Sequence, residues 1–213
     1  MAAFDLEEQE QLDALKAWWK RWGNYVIYGL SAVLIAVAGW QYWKNHTAKQ
    51  SGEAAAHFES MSIALEAGDM KTAREQGALL VDKYGRTPYA TRAAMLVASI
   101  NVQGKDIKSA RAQLQWVVES TKEAALRDVA RLRLAGILLD EKDYEGALKQ
   151  LNAAHTDAYA ARFDDIKGDV YLAQGKTAEA RAAYSAAYAR LKDDNPLHGV
   201  VEMKLDSLGG PAK

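Results

Sequence analysis

Hydrophobic and polar positions along this chain fall into three regimes. From Phe4 to Trp22 apolar residues recur at helical spacing: Leu12, Leu15, Trp19 and Trp22 lie 3, 4 and 3 residues apart, which predicts one apolar stripe on an amphipathic helix. From Gly23 to Trp43 the charged positions vanish: the stretch GNYVIYGLSAVLIAVAGWQYW holds no Asp, Glu, Lys, Arg or His. After Lys44 alternation returns as an alanine-rich helical pattern broken by short polar turns. With three prolines and runs of Ala, Leu, Glu, Lys and Arg, the chain predicts helix throughout.

The middle regime has the dimensions of a membrane span. Tyr25 to Trp43 would make a helix of roughly 28 Å at about 1.5 Å per residue, against a hydrocarbon core about 30 Å thick. Inside it Val26, Ile27, Leu30, Val33, Leu34, Ile35 and Val37 together contribute on the order of −2 to −4 kcal/mol towards insertion. Aromatic residues mark both ends, Trp22, Tyr25 and Tyr28 on one side and Trp40, Tyr42 and Trp43 on the other, at the level where amphipathic rings meet headgroups. A buried soluble helix would need more apolar surface around it than the remaining chain offers. A cleaved signal peptide would need a shorter core and a small-residue exit, and Gly39-Trp40-Gln41-Tyr42-Trp43 is too bulky for one. Lys16, Lys20 and Arg21 before the span outnumber Lys44 and Lys49 after it, which favours the N-terminus in the cytoplasm.

The segment before the span has acidic residues early (Asp5, Glu7, Glu8, Glu10) and basic ones late, as a helix dipole prefers, with Asp5 and Glu8 as an expected N-cap pair. It suits a membrane-surface helix, a partner-binding helix or a plain extension of the span.

The third regime is repetitive. Gly68-Asp69-Met70-Lys71-Thr72-Ala73, Lys105-Asp106-Ile107-Lys108-Ser109-Ala110, Lys142-Asp143-Tyr144-Glu145-Gly146-Ala147 and Gly175-Lys176-Thr177-Ala178-Glu179-Ala180 align, their closing alanines 37, 37 and 33 residues apart. A tetratricopeptide repeat, helix–turn–helix, is about 34 residues long. In the last unit Gly168, Tyr171, Gly175, Ala180, Tyr184 and Ala187 occupy the template's small, aromatic and turn positions. The first unit fits least, with Gly77 where a bulky residue belongs. The expected fold is all-α: one N-terminal transmembrane helix, then an α-solenoid of about four hairpins, with Asn195 to Leu208 as a C-terminal capping helix ended by Gly209-Gly210-Pro211. The expected division is 1–22 as an amphipathic segment, 23–43 as the transmembrane helix, 44–52 as a juxtamembrane connector and 53–213 as the repeat domain, its first leading helix running from Ser51 to Ala67.

Composition narrows the chemistry. Among 213 residues, 27 basic against 28 acidic side chains leave a net charge of −1, without the basic field that nucleic-acid binding uses. There is no cysteine, and His46, His57, His155 and His198 show no ligand spacing. Asp164 and Asp165 are adjacent, a pattern of a solvated helix face more often than of an acid–base pair. No catalytic, metal or cofactor site is expected, and the chain reads as non-enzymatic. Tetratricopeptide arrays bind through the concave surface lined by each hairpin's first helix. That template places Phe58, Ser62 and Leu65, then Arg92, Met95 and Ser99, then Leu132, Gly136 and Leu139, and finally Arg162, Asp165 and Asp169 on the binding face.

Leu12-Asp13-Ala14-Leu15-Lys16 with aromatics immediately after, the glycine-containing span, and the exit Gly39-Trp40-Gln41-Tyr42-Trp43-Lys44-Asn45-His46 together resemble the YfgM family, ancillary subunits of the bacterial Sec translocon. The resemblance implies a single-pass inner-membrane protein of a Gram-negative cell, N-terminus cytoplasmic and repeat domain periplasmic. It further implies association with SecYEG and the membrane-anchored chaperone PpiD, and help for unfolded, newly exported polypeptides. A structural scaffold of an envelope complex, without client handling, is the alternative.

The span makes one prediction. Leu34→Arg should cost about 2.5–3.5 kcal/mol plus leucine's own contribution, roughly cancelling the insertion energy above, so the variant should leave the integral membrane fraction under alkaline extraction.

Overall fold

The computed structural model describes the backbone of residues 2–210 and the side chains of residue 8 and residues 10–210. Among the described residues every regular element is helical. Two compact units divide at Gly52 and Glu53.

The first unit is the larger part of α1 (Ala2–Glu66), which is helical without interruption, residues 44–52 included. Because α1 is already helical at Asp5, that residue lies inside the helix and not at its N-cap. The side-chain half of the Asp5–Glu8 pairing lies outside the described residues, as do Phe4's side chain and Pro211. α1 contains a stretch long and apolar enough to cross a membrane. Its side chains do not pack in a protein core: Leu30 is 61% and Ile35 73% exposed. That sets it apart from a buried core helix, since side chains of this size are otherwise among the most buried.

The second unit contains the end of α1, then α2 (Met70–Tyr84), α3 (Pro88–Gln103), α4 (Ile107–Ser120), α5 (Ala124–Asp140), α6 (Tyr144–Leu151), a 3-10 turn (Asp157–Tyr159), α7 (Ala160–Ala173), α8 (Thr177–Arg190) and α9 (Pro196–Ser207). The end of α1 with α2, α3 with α4, α5 with α6 and α7 with α8 form four hairpins. All four alanines that align in sequence, Ala73, Ala110, Ala147 and Ala180, are fully buried. Helices this close need a small side chain at their nearest approach and large ones flanking it.

Stacking buries the hairpins in three successive clusters. Ala54, Met61, Ala73 and Leu80 pack with Ala93, Val97 and Ile100 of α3. The opposite side of α3, Ala94 and Ala98, belongs to a second cluster running through Leu114, Leu134, Leu151 and Phe163 as far as Val170. Tyr184 and Ala187 of α8 close over Val201 and Leu205 of α9. Gly77 explains the irregular first repeat. A Cβ there would overlap Val97 Cγ2 and touch Met61, so the neighbouring helix supplies the bulk that the position lacks. Gly168 likewise leaves room for the Tyr184 ring.

Each hairpin turn is built the same way. Gly68, Lys105, Lys142 and Gly175 have φ of 73°, 60°, 63° and 75°, at the same position of successive repeats. The next N–H returns to the carbonyl five residues back, Asp69 to Ala64, Asp106 to Asn101 and Asp143 to Leu138 at 2.8 Å and Lys176 to Tyr171 at 2.9 Å, as in left-handed helix C-caps. In three turns the next residue also caps the following helix: Asp69, Asp106 and Asp143 accept from the N–H of Thr72, Ser109 and Gly146. The hydroxyl and N–H of Thr72 hold the Asp69 carboxyl below the ordinary range, and the Ser109 hydroxyl and N–H do the same for Asp106.

Lys142 holds a conformation that costs a non-glycine residue about 1–2 kcal/mol. Lys142→Gly should therefore raise stability by up to ~1 kcal/mol after glycine's own entropic cost, read as a higher thermal unfolding midpoint, and Gly175→Lys should lower it.

Candidate protein-binding face

The first helices of the four hairpins carry the template-derived positions, Arg92 and Arg162 apart, in three aligned columns. Phe58, Met95, Leu132 and Asp165 form one, Ser62, Ser99, Gly136 and Asp169 the second. The third begins with Leu65 and Leu139 and is completed by two residues absent from the sequence reading, Val102 and Leu172, both 42% exposed. Their intervals of 37, 37 and 33 residues are those of the buried alanines, so the repeat spacing already contained the signal.

The first column sinks into the core along the array. Phe58 is half-buried, its ring 5.7 Å from that of Tyr89. Met95 and Leu132 are 6% and 9% exposed and belong to the central cluster. Asp165 is fully buried. The third column stays at the surface, with Leu65 and Leu139 half-buried.

Polar positions on this face are tied within the protein. Arg92 pairs with Glu123 at 3.0 Å, and Arg133 donates to the Ser99 hydroxyl at 3.1 Å, two links between α3 and the following hairpin. The Ser62 hydroxyl donates back to the Phe58 carbonyl, a bond within its own helix. Asp128, buried at the start of α5, accepts from both the N–H and the hydroxyl of Thr156 at 2.9 and 2.7 Å, fixing the approach to α7.

The end of the array is the most charged part. Lys204 of α9 reaches Asp165 at 2.6 Å and both oxygens of Asp169 at 2.7 and 2.9 Å. Arg162 adds a second ion pair to Asp165 at 2.6 Å. Tyr184 donates to Asp169 at 2.7 Å. Burial, then that hydrogen bond and the two carboxylates, push the Tyr184 hydroxyl well above its ordinary pKa. Asp164 pairs with Arg190 at 3.1 Å and Lys167 at 3.6 Å. The Asp164–Asp165 pair is therefore not a solvated face, since α8 and α9 bring cations to it that local sequence spacing does not show. Among the described residues no group of three His, Cys, Asp or Glu converges on a metal-sized site.

Comparison with known proteins accords with this architecture. A family model for a tetratricopeptide repeat-like domain matches residues 16–210. A Neisseria gonorrhoeae protein named ancillary SecYEG translocon subunit is 30% identical over 207 residues, 97% of this chain and 99% of the relative. The chain belongs to the YfgM family. Further members with the same name come from Aggregatibacter actinomycetemcomitans, 28% identical over 185 residues, and Haemophilus influenzae, 25% over 187, each match covering 87% of this chain and 90% of the relative.

Removing Lys204 leaves a buried carboxylate short of a partner. Loss of one partner from a fully buried pair costs about 3–5 kcal/mol; with Lys204 27% exposed and Arg162 retained, Lys204→Met should cost about 2–3 kcal/mol in urea unfolding. Arg190→Ala, at an exposed guanidinium, should cost less than about 1 kcal/mol.

Proposed function

We propose that this YfgM-family protein is a non-enzymatic interaction module of the bacterial inner membrane, ancillary to the SecYEG translocon. Its N-terminus lies in the cytoplasm, residues 23–43 cross the bilayer, and residues 53–213 face the periplasm. There the repeat domain binds protein partners, including PpiD, and assists newly translocated, unfolded polypeptides. One observation carries the reading: a membrane-spanning helix and a four-hairpin array share one chain that aligns almost end to end with proteins named translocon subunits.

The binding face supports contacts with extended chain. A polypeptide crossing successive hairpins in extended form meets one apolar position per hairpin. Leu65, Val102, Leu139 and Leu172 would each contribute a small, sequence-tolerant apolar contact. Anchoring beside the channel raises the local concentration of emerging chains, and weak multivalent contacts suffice there. The alternative, a scaffold that handles no clients, draws support from the internal pairing of Arg92, Ser99, Asp165 and Asp169.

Photo-reactive residues placed at Arg92, Val102 and Leu139 of the membrane-embedded protein should crosslink translocon subunits and arrested export intermediates. Crosslinks to fixed partners without intermediates would favour the scaffold, and crosslinks to neither would overturn both readings.

A further inference from the structure

Unit one carries an aromatic and cationic surface that the translocon reading leaves unused. Trp18, Trp19 and Trp22 are 49%, 52% and 48% exposed, within five residues of sequence. The Trp18 and Trp19 rings lie 6.3 Å apart, and Trp22 sits 5.7 Å from Tyr25 at the start of the apolar run. Gly23 is buried because the Trp19 indole lies over it; its missing Cβ would stand 3.1 Å from that ring. Leu15, Trp18 and Trp19, with Lys16 and Lys20, line an open hollow of about 750 Å³.

Charge and depth select what covers this surface. At about 100° per residue, Leu12, Leu15, Trp18, Trp19 and Trp22 share one helix face, bordered by Lys16 and Lys20 on one side and Arg21 on the other. Arg21 and Lys20 stand roughly 6–8 Å along the axis from Tyr25, and Trp19 about 9 Å. The headgroup layer beyond the hydrocarbon is about 5–8 Å thick on each side. Cα–Cβ bonds tilt towards the helix N-terminus, so cations and indoles alike lean outward from the hydrocarbon, Trp22 lying nearest to it and Trp18 and Trp19 level with or beyond the outer headgroups. Among the described residues Asp13 pairs with Lys16 at 3.1 Å, and both side chains are three-quarters exposed.

We propose that residues 15–22 form a binding site for anionic phospholipid headgroups, with Lys16, Lys20 and Arg21 holding the phosphate-bearing headgroup, Trp22 seating its glycerol and upper acyl region, and Trp18 and Trp19 packing against the headgroup from outside. The proposal rests on the membrane span of α1 and not on the translocon association. It is independent of which leaflet receives the N-terminus.

The test uses the full chain with Trp40, Trp43 and Trp116 replaced by Phe, so that emission comes from the three juxtamembrane indoles. It is reconstituted in vesicles of mixed phosphatidylglycerol and phosphatidylcholine with the same composition in both leaflets, one lipid or the other brominated near the glycerol backbone. Brominated phosphatidylglycerol should quench with a preference of roughly three-fold or more at low salt, weakening as salt rises. K16Q/K20Q/R21Q should bring the preference to about one-fold, and K16R/K20R should keep it. Equal quenching by the two lipids, or a preference that survives the triple substitution, overturns the proposal. Absence of quenching by either would mean that a second copy of the chain covers the rings, and overturns it too.

Discussion

An α-hairpin of two helices cannot bury its own apolar face, and the second unit is organised around that deficit. Each first helix must be apolar towards its own partner and towards the preceding hairpin. α3 meets both demands with adjacent residues, Ala93 and Val97 facing one cluster and Ala94 and Ala98 the other. Alanine and glycine recur at the crossings because bulk there would separate the helices. Where a position is too small, as at Gly77, Val97 from the next hairpin fills it. A stack built this way has an unsatisfied face at its end. α9 answers it with Val201 and Leu205 for the apolar part and Lys204 for the carboxylates of α7.

The same deficit is answered differently in the first unit. Between Gly23 and Trp43 the helix is apolar on every side, which no neighbouring hairpin could cover, and lipid takes the place of a partner. Farther along α1 the apolar positions contract to one side, with Ala54, Met61 and Ala64 buried and Ile63 58% exposed. One continuous helix thus changes from a pattern matched to hydrocarbon to one matched to a protein neighbour, without a turn to mark the change.

Legibility followed the range of the interactions. The hairpins were readable because turn and crossing are local: a left-handed residue and a small residue recur together at intervals of 37, 37 and 33, with a capping aspartate in the first three turns. Lys105 and Lys142 disguised the turn in two repeats, yet Asp106 and Asp143 still aligned it. The burial of Asp164 and Asp165 was not readable: Arg162 and Lys167 stand at helical spacing from them, but Arg190 and Lys204 come from later helices whose rotation sequence spacing does not fix. Val102 and Leu172 were within reach of the repeat arithmetic and lay one turn beyond the positions chosen. The start of α1 eluded the cap reading because nothing between Ala2 and Asp5 breaks a helix.

The distribution of polarity over the candidate face bears on what it can hold. A tight, specific site for a charged peptide keeps cations or carboxylates available to it; here Arg92 is engaged by Glu123, and displacing Lys204 from the buried Asp165 and its neighbour Asp169 would cost more than an exposed ion pair returns. What remains for a ligand is a row of partly exposed aliphatic side chains, one per hairpin. Burying such a row yields affinity that grows with the number of hairpins engaged and depends little on sequence. That is the recognition suited to many different unfolded chains, provided something else supplies proximity. On the proposed reading the apolar stretch of α1 supplies it, tethering the array to the bilayer surface, so that weak contact becomes sufficient.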